Sequence, residues 1–177
     1  MTYYTKLELL AIGFNFIGEN VLVHRTTQFY NITGFIMNNT RIDGPSIFTG
    51  HIEIGSFVHL GAFSRFAATD SYIKIGDYTG ISSHCAIYSV TENFSTYSGF
   101  GNPTLAFDLQ NPLSAGIIIE DHVMIGTGVI LLPGSLLRSK SVISAGLTIR
   151  TEIKSNHLIF SDSSKLKSLN RSFLKKK

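Results

Sequence analysis

From Ile119 to Ile149 the chain reads IEDHVM, IGTGVI, LLPGSL, LRSKSV, ISAGLT and then Ile149, with an apolar residue at every sixth position. A period of six fits neither the 3.6-residue turn of a helix nor the alternation of an ordinary strand. It fits a parallel β-helix, in which each coil stacks an aliphatic side chain on its equivalent one turn away. The residue four places after each start (Val123, Val129, Ser135, Ser141, Leu147) is mostly small or β-branched, which suits a tight inward-facing corner.

The same phase runs upstream. Ile17, Val23, Phe29 and Phe35 form one block; Ile42, Phe48, Ile54, Leu60 and Phe66 follow after a one-residue slip; Ile75, Ile81 and Ile87 follow after a three-residue slip. A composition that is 44% apolar would not fill every one of these positions by chance. Gly18, Gly55, Gly61, Gly76 and Gly126 each follow a start residue, where a sharp backbone course favours glycine. Asn38 and Asn39 suit a turn with positive φ.

The chain of 177 residues is expected to form a single domain. Residues 1–16 form an N-terminal cap, 17–154 the β-helix and 155–177 a C-terminal tail or short helix. In the cap, residues 4–12 have helical spacing in Leu7, Leu10 and Ala11, with Thr5 or Thr2 as N-cap and Gly13 as the stop. Thr69 and its neighbours (67–74) form a small outward loop. The segment 90–116 has no period and carries Gly99, Gly101, Pro103 and Pro112, so it is a long excursion of the functional kind.

Net charge is +3, with the basic excess concentrated from Lys165 to Lys177. That tail lacks stacking aromatics beyond Phe173 and reads as a solvated end, not a nucleic-acid or lipid site. Cys85 is the only cysteine, so no internal disulfide forms; it occupies a small inward position and is expected to be inert. No stretch is long and apolar enough to cross a membrane and no leader pattern is present, so a cytoplasmic location without membrane insertion is expected.

The repeat, with YYTKLELLAIGFNFIGENVLVHRTTQFYN, GDYTGISSHCAIYSVTENFS and IEDHVMIGTGVILLPGSLL, resembles the hexapeptide-repeat acyltransferases over residues 3–155. Within them it resembles the bacterial acetyltransferases of surface-polysaccharide biosynthesis that act on dTDP-4-amino-4,6-dideoxyglucose. The resemblance implies an all-β, left-handed parallel β-helix and a homotrimer. It also implies acetyl-CoA as cosubstrate, no metal requirement, and a nucleotide-linked amino sugar or polysaccharide sugar as acceptor in O-antigen or lipopolysaccharide assembly. In such enzymes the helical cap covers the open end of the β-helix, and the excursion loop reaches across the neighbouring subunit and closes over the acceptor.

Acyl transfer from a thioester needs a proton acceptor for the nucleophile, donors for the oxyanion and a groove for the pantetheine arm. No nucleophile elbow and no catalytic cysteine is present, which favours direct attack by the acceptor. The related galactoside and xenobiotic enzymes carry a histidine base just after the coil that precedes the large loop. Counting hexads puts Ile87-Tyr88-Ser89-Val90-Thr91-Glu92 there, with Glu92 at the position of the histidine. The polysaccharide branch shows an acidic pair in this place, whereas this chain has Glu92-Asn93. Glu92 is therefore the first candidate base, and Tyr88 and Asn93 are candidate sugar-binding residues.

His59, sixth in its hexad, falls beside the expected acceptor site; His84 and His122, fourth in theirs, face outward and are further catalytic candidates. His24, His51 and His157 read as solvated surface residues. The resemblance assigns the CoA groove to Thr127, Gly128, Ala145 and Gly146, with Arg150 and Lys154 meeting the CoA phosphates. The closing Ala-Gly-Val-Pro-Ala-Lys motif of the family is replaced here by Phe160-Ser161-Asp162-Ser163-Ser164-Lys165.

Three alternatives compete with N-acetylation: O-acetylation of a sugar hydroxyl, a γ-carbonic-anhydrase-like zinc site, and a noncatalytic β-helix. The zinc reading needs two histidines five residues apart, whereas His51 and His59 are eight apart. An amine needs less help from a base than a hydroxyl, so the histidine-free loop position leans toward an amine acceptor.

Overall fold

The computed structural model describes residues 2–93, 104, 106, 110–162 and 165–171. Strands pair in parallel, each with the equivalent strand one coil away, and their inward residues form three ladders. On the first face Ile17, Ile36, Ile54, Ile75, Ile119, Leu137 and Ile153 stack in register. On the second, Val23, Ile42, Leu60, Ile81, Ile125, Ile143 and Ile159 do so. On the third, the ladder is Phe29, Phe48, Phe66, Ile87, Leu131 and Ile149. Apart from Phe29, which is half-buried against the core, all of these residues are buried. Each such aliphatic side chain stabilises the fold by about 1.5–3 kcal/mol relative to exposure.

The corners between faces explain the small fifth residue of each hexad. Thr40, Thr79 and Ser135 are buried there, and each hydroxyl donates to a backbone carbonyl of the next coil, at 2.8 Å (Gly55), 3.1 Å (Glu120) and 3.0 Å (Ile149). Cys85 does the same job with sulfur, donating to the Gly126 carbonyl at 3.3 Å. Burial pushes its thiol above the ordinary value, so it stays protonated and structural, as its inward position implied.

The glycines after hexad starts have a different cause from the one expected. At Gly61 and Gly126 a Cβ would stand 2.5 Å from the backbone nitrogen of Ser83 and of Ala145 on the next coil. Close coil-to-coil approach, not a special φ, excludes a side chain there. Positive φ falls two residues later, at the fourth hexad position: Asn39, Phe57, Tyr78 and His122 turn the first corner, and Phe63, His84, Gly128 and Gly146 the second.

Both phase slips are present, but the first lies earlier than expected. The pairing of Gln28–Ile36 with Ile47–Ile54 shifts between Tyr30 and Thr33, where Asn31 has φ 49°, so Ile36 and not Phe35 enters the first ladder. The second slip is an outward bulge between Ala68 and Tyr72. Near the end, the coil shortens so that Ile153 stacks on Leu137 only four residues after Ile149.

The cap is a helix, Lys6–Ile12, with Thr5 and Glu8 in a reciprocal capping box and Gly13 (φ 137°) ending it. Glu8 also accepts two bonds from Arg25, which, with the Thr5 bonds, holds its carboxyl down at about 2. The buried side is Leu9, with Leu10 packed against the core; Leu7 and Ala11, expected inward, are exposed. The described part of the tail forms strands and not a short helix: Lys165–Asn170 pairs antiparallel with His157–Asp162. Among the described residues no helix is long and apolar enough to cross a membrane.

Most of the 90–116 excursion lies outside the described residues. Its two ends pair antiparallel, Val90–Glu92 with Pro112–Ser114. The base of the excursion is therefore a hydrogen-bonded ladder next to the third face.

Candidate active site

A cleft of about 530 Å³ opens on the second face beside the second corner. His59 projects into it from the outward side of the second face, His84 from the corner above, and Phe63, Ser83 and Met124 complete the wall. His84 is held flat on Phe63, with ring centroids 5.0 Å apart and planes 8° from parallel. Both residues have left-handed φ, which is what aligns their rings in one column.

His59 is not alone. Its Nε2 donates to Asp43 Oδ2 at 2.8 Å, while Arg41 Nε donates to Asp43 Oδ1 at 2.7 Å. Burial alone would raise the Asp43 carboxyl, but the hydrogen bonds from His59 and Arg41 outweigh it and hold the group below its ordinary value. Sequence reasoning missed Asp43. The signal was present in the coil length: the residue after one start and the residue before the equivalent start one coil later are brought side by side.

Above His84 the corner column changes character. Its next two members are Gly128 and Gly146, with φ 69° and 72°. A Cβ at Gly128 would touch only Gly146, at 3.9 Å, and a Cβ at Gly146 would meet nothing within 4 Å. An aromatic column thus ends in an open notch. Thr127 fixes its floor by donating to the Ser83 carbonyl at 2.7 Å, and the Gly146 amide donates to the Thr127 carbonyl at 2.9 Å. Thr127, Gly128, Ala145 and Gly146 are therefore together, as expected. Arg150 and Lys154 are exposed on later parts of the coil, beyond the third and first ladders, and do not join that group.

The other candidates separate. His122 is at the first corner, stacked on Tyr78 (4.9 Å, 5°), which stacks on Phe57. Glu92 lies past the third face, at the base of the excursion, with half-buried Tyr88 and Asn93 beside it in sequence. It is not among the residues lining the histidine cleft, so His59 and Glu92 do not form one site within a single chain. The Glu92 Oε2 atom is buried and, among the described residues, has no hydrogen-bond partner. His51, read as a solvated residue, is half-buried between Thr33 (3.0 Å) and Glu53 (3.0 Å), and Glu53 also binds Lys74.

No protein-family model matches the chain. It is 34% identical over 149 residues to a dTDP-4-amino-4,6-dideoxy-D-glucose acyltransferase of Escherichia coli, covering 82% of the chain and 77% of that relative. The chain belongs to this acyltransferase family. Its fold is that of a left-handed β-helix acyltransferase. A variant of AntD, an N-acyltransferase from Bacillus cereus solved with dTDP and coenzyme A, superposes with TM-score 0.86 at 25% identity, over 96% of this chain and 91% of that one. AntD with dTDP and 3-hydroxybutyryl-CoA gives TM-score 0.85 at 26% identity, over 96% and 89% of the two chains. The enzyme is thus an acyltransferase.

Proposed function

We propose that the enzyme transfers an acyl group, acetyl in the simplest case, from acyl-CoA to the amine of a nucleotide-linked amino sugar of the dTDP-4-amino-4,6-dideoxyglucose type. The observation that carries this reading is the buried carboxylate oxygen of Glu92, which has no hydrogen-bond partner among the described residues. A buried acceptor without a donor costs about 1–3 kcal/mol and calls for an explanation. An ammonium or amine N–H arriving with the substrate supplies the missing donor. The amine nitrogen attacks the thioester carbonyl, the C–N bond forms and the C–S bond breaks. The proton lost by nitrogen passes through Glu92, and coenzyme A leaves as its thiol. The similarity to a dTDP-4-amino-4,6-dideoxy-D-glucose acyltransferase and to AntD, solved with dTDP and 3-hydroxybutyryl-CoA, supports the substrate class.

The pantetheine arm would lie in the notch at Gly128 and Gly146. This chain itself tolerates phenylalanine with left-handed φ at Phe57 and Phe63, so the Gly146→Phe variant should fold and place a ring in the open notch. We expect its Kd for CoA to rise at least about tenfold, the equivalent of about 1.4 kcal/mol, in isothermal titration. Unchanged affinity would move the donor elsewhere.

The working unit we propose is a homotrimer, in which a second copy brings its Glu92 to the cleft that holds His59 and His84. Leu22 and Met124, outward on the second face, and Ile130, outward on the third, are exposed apolar side chains suited to such contact. Sedimentation should show a trimer at micromolar concentration; an active monomer would refute the shared site. A cytoplasmic enzyme supplying acylated sugar nucleotides to surface-polysaccharide assembly fits this chemistry. Release of thiol from acetyl-CoA against a panel of amino-sugar nucleotides tests the reading, and silence with every amine would end it. The Asp43–His59 pair favours one second reading, O-acylation, because a hydroxyl depends on a base more than an amine does.

A further inference from the structure

The imidazole of His59 has its two nitrogens in different circumstances. Nε2 is bonded to Asp43 at 2.8 Å, whereas Nδ1 has no partner among the described residues. A carboxylate accepts and does not donate, so in the neutral ring the proton must sit on Nε2 and the lone pair on Nδ1. Asp43 is in turn fixed by Arg41 on its other oxygen, and its side chain is only 25% exposed. The pair lines the cleft that also holds His84, and a neutral imidazole with a free Nδ1 is an acceptor for an N–H or O–H.

We propose that Asp43 is a positioning residue that locks His59 in the Nε2–H tautomer, leaving Nδ1 to accept a hydrogen bond from the amino or hydroxyl group of the acceptor sugar. This rests on the reading of the cleft as the acceptor site. Arg41 holds Asp43 still, and the 16-residue separation of Asp43 and His59 is bridged by adjacent coils of the β-helix, a rigid support for a fixed ring orientation.

The test uses full-length enzyme with 15N-labelled histidine, the His59 signals being assigned by their loss in His59→Asn. In the wild type, Nε2 carries the proton of neutral His59; in Asp43→Asn, whose amide can donate as well as accept, the signals become those of a tautomer mixture. In steady-state kinetics Asp43→Asn should lower kcat/KM for the acceptor about 10- to 100-fold while KM for acyl-CoA stays put. The double variant with His59→Asn should be no slower than the worse single one, since Asp43 acts through His59. A proton on Nδ1 in the wild type, an unchanged tautomer in Asp43→Asn, or losses that multiply in the double variant would each overturn the proposal. The tautomer readout needs no substrate, so it decides the Asp43 role even if the wild type proves inactive on amino-sugar nucleotides.

Discussion

Glu92→Gln should lower kcat by about 10²–10⁴-fold, the usual worth of general acid–base assistance, with little change in KM for acyl-CoA. The substitution keeps the shape and the strand pairing of Val90–Glu92 with Pro112–Ser114, and removes only the charge and the basicity. In wild type the Oε2 atom is buried with no partner among the described residues, so it is available to a donor from outside the chain. In the glutamine variant an N–H or a non-basic carbonyl meets the amine, and neither can take its proton. Stopped-assay rates across acceptor and donor concentrations separate the two constants. A Glu92→Gln enzyme near wild type, beside a nearly dead His59→Asn, would transfer the base role to the coil histidine. If both variants were mild, catalysis would consist chiefly of positioning.

The largest structural effect is expected at Phe48. It is fully buried as the middle ring of the three phenylalanines in the third ladder, 4.5 Å from the Phe66 ring at 11° and 5.6 Å from Phe29. Truncating a buried aromatic costs about 3–5 kcal/mol, the transfer loss plus an unfilled cavity between rigid coils. Phe57→Ala is the internal control. That ring is 50% exposed and stacks only on Tyr78 at the first corner. Its loss should cost about 0.5–1.5 kcal/mol, the worth of an aromatic pair beyond burial. Chemical denaturation at one fixed protein concentration compares them. Equal costs would mean that the third ladder is not the core element described above.

The three ladders were legible in the sequence because a six-residue period demands apolar residues at fixed places and the chain supplies them. Phe35 failed as a start for a physical reason: Phe35 and Ile36 are adjacent and both apolar, and only the bulge at Asn31 decides which faces inward. The helical cap was found by its N-cap, but its inward face was not, since Leu7, Leu9 and Leu10 offer competing stripes. The tail misled because a coil shortened by two residues breaks the period, and nothing local marks Lys165–Asn170 as a strand.

The site was partly legible. Thr127, Gly128, Ala145 and Gly146 fell together because the third and fourth hexad positions repeat at one corner. His59 and His84 met in the cleft for a different reason, since one projects from a face and the other from the neighbouring corner of the next coil. His122 occupies the equivalent position at a different corner, and position within the hexad alone does not distinguish corners. Asp43 was missed because its relation to His59 appears only when the coil, not the hexad, is taken as the unit.

N-acyl transfer to a nucleotide amino sugar is tested most directly by the product. The enzyme is incubated with acetyl-CoA and dTDP-4-amino-4,6-dideoxyglucose, and the nucleotide sugar is isolated and examined by mass spectrometry and proton NMR. One added acetyl group, held as an amide on the sugar nitrogen, is the expected product. An unmodified sugar nucleotide, or an ester on a hydroxyl, would contradict it.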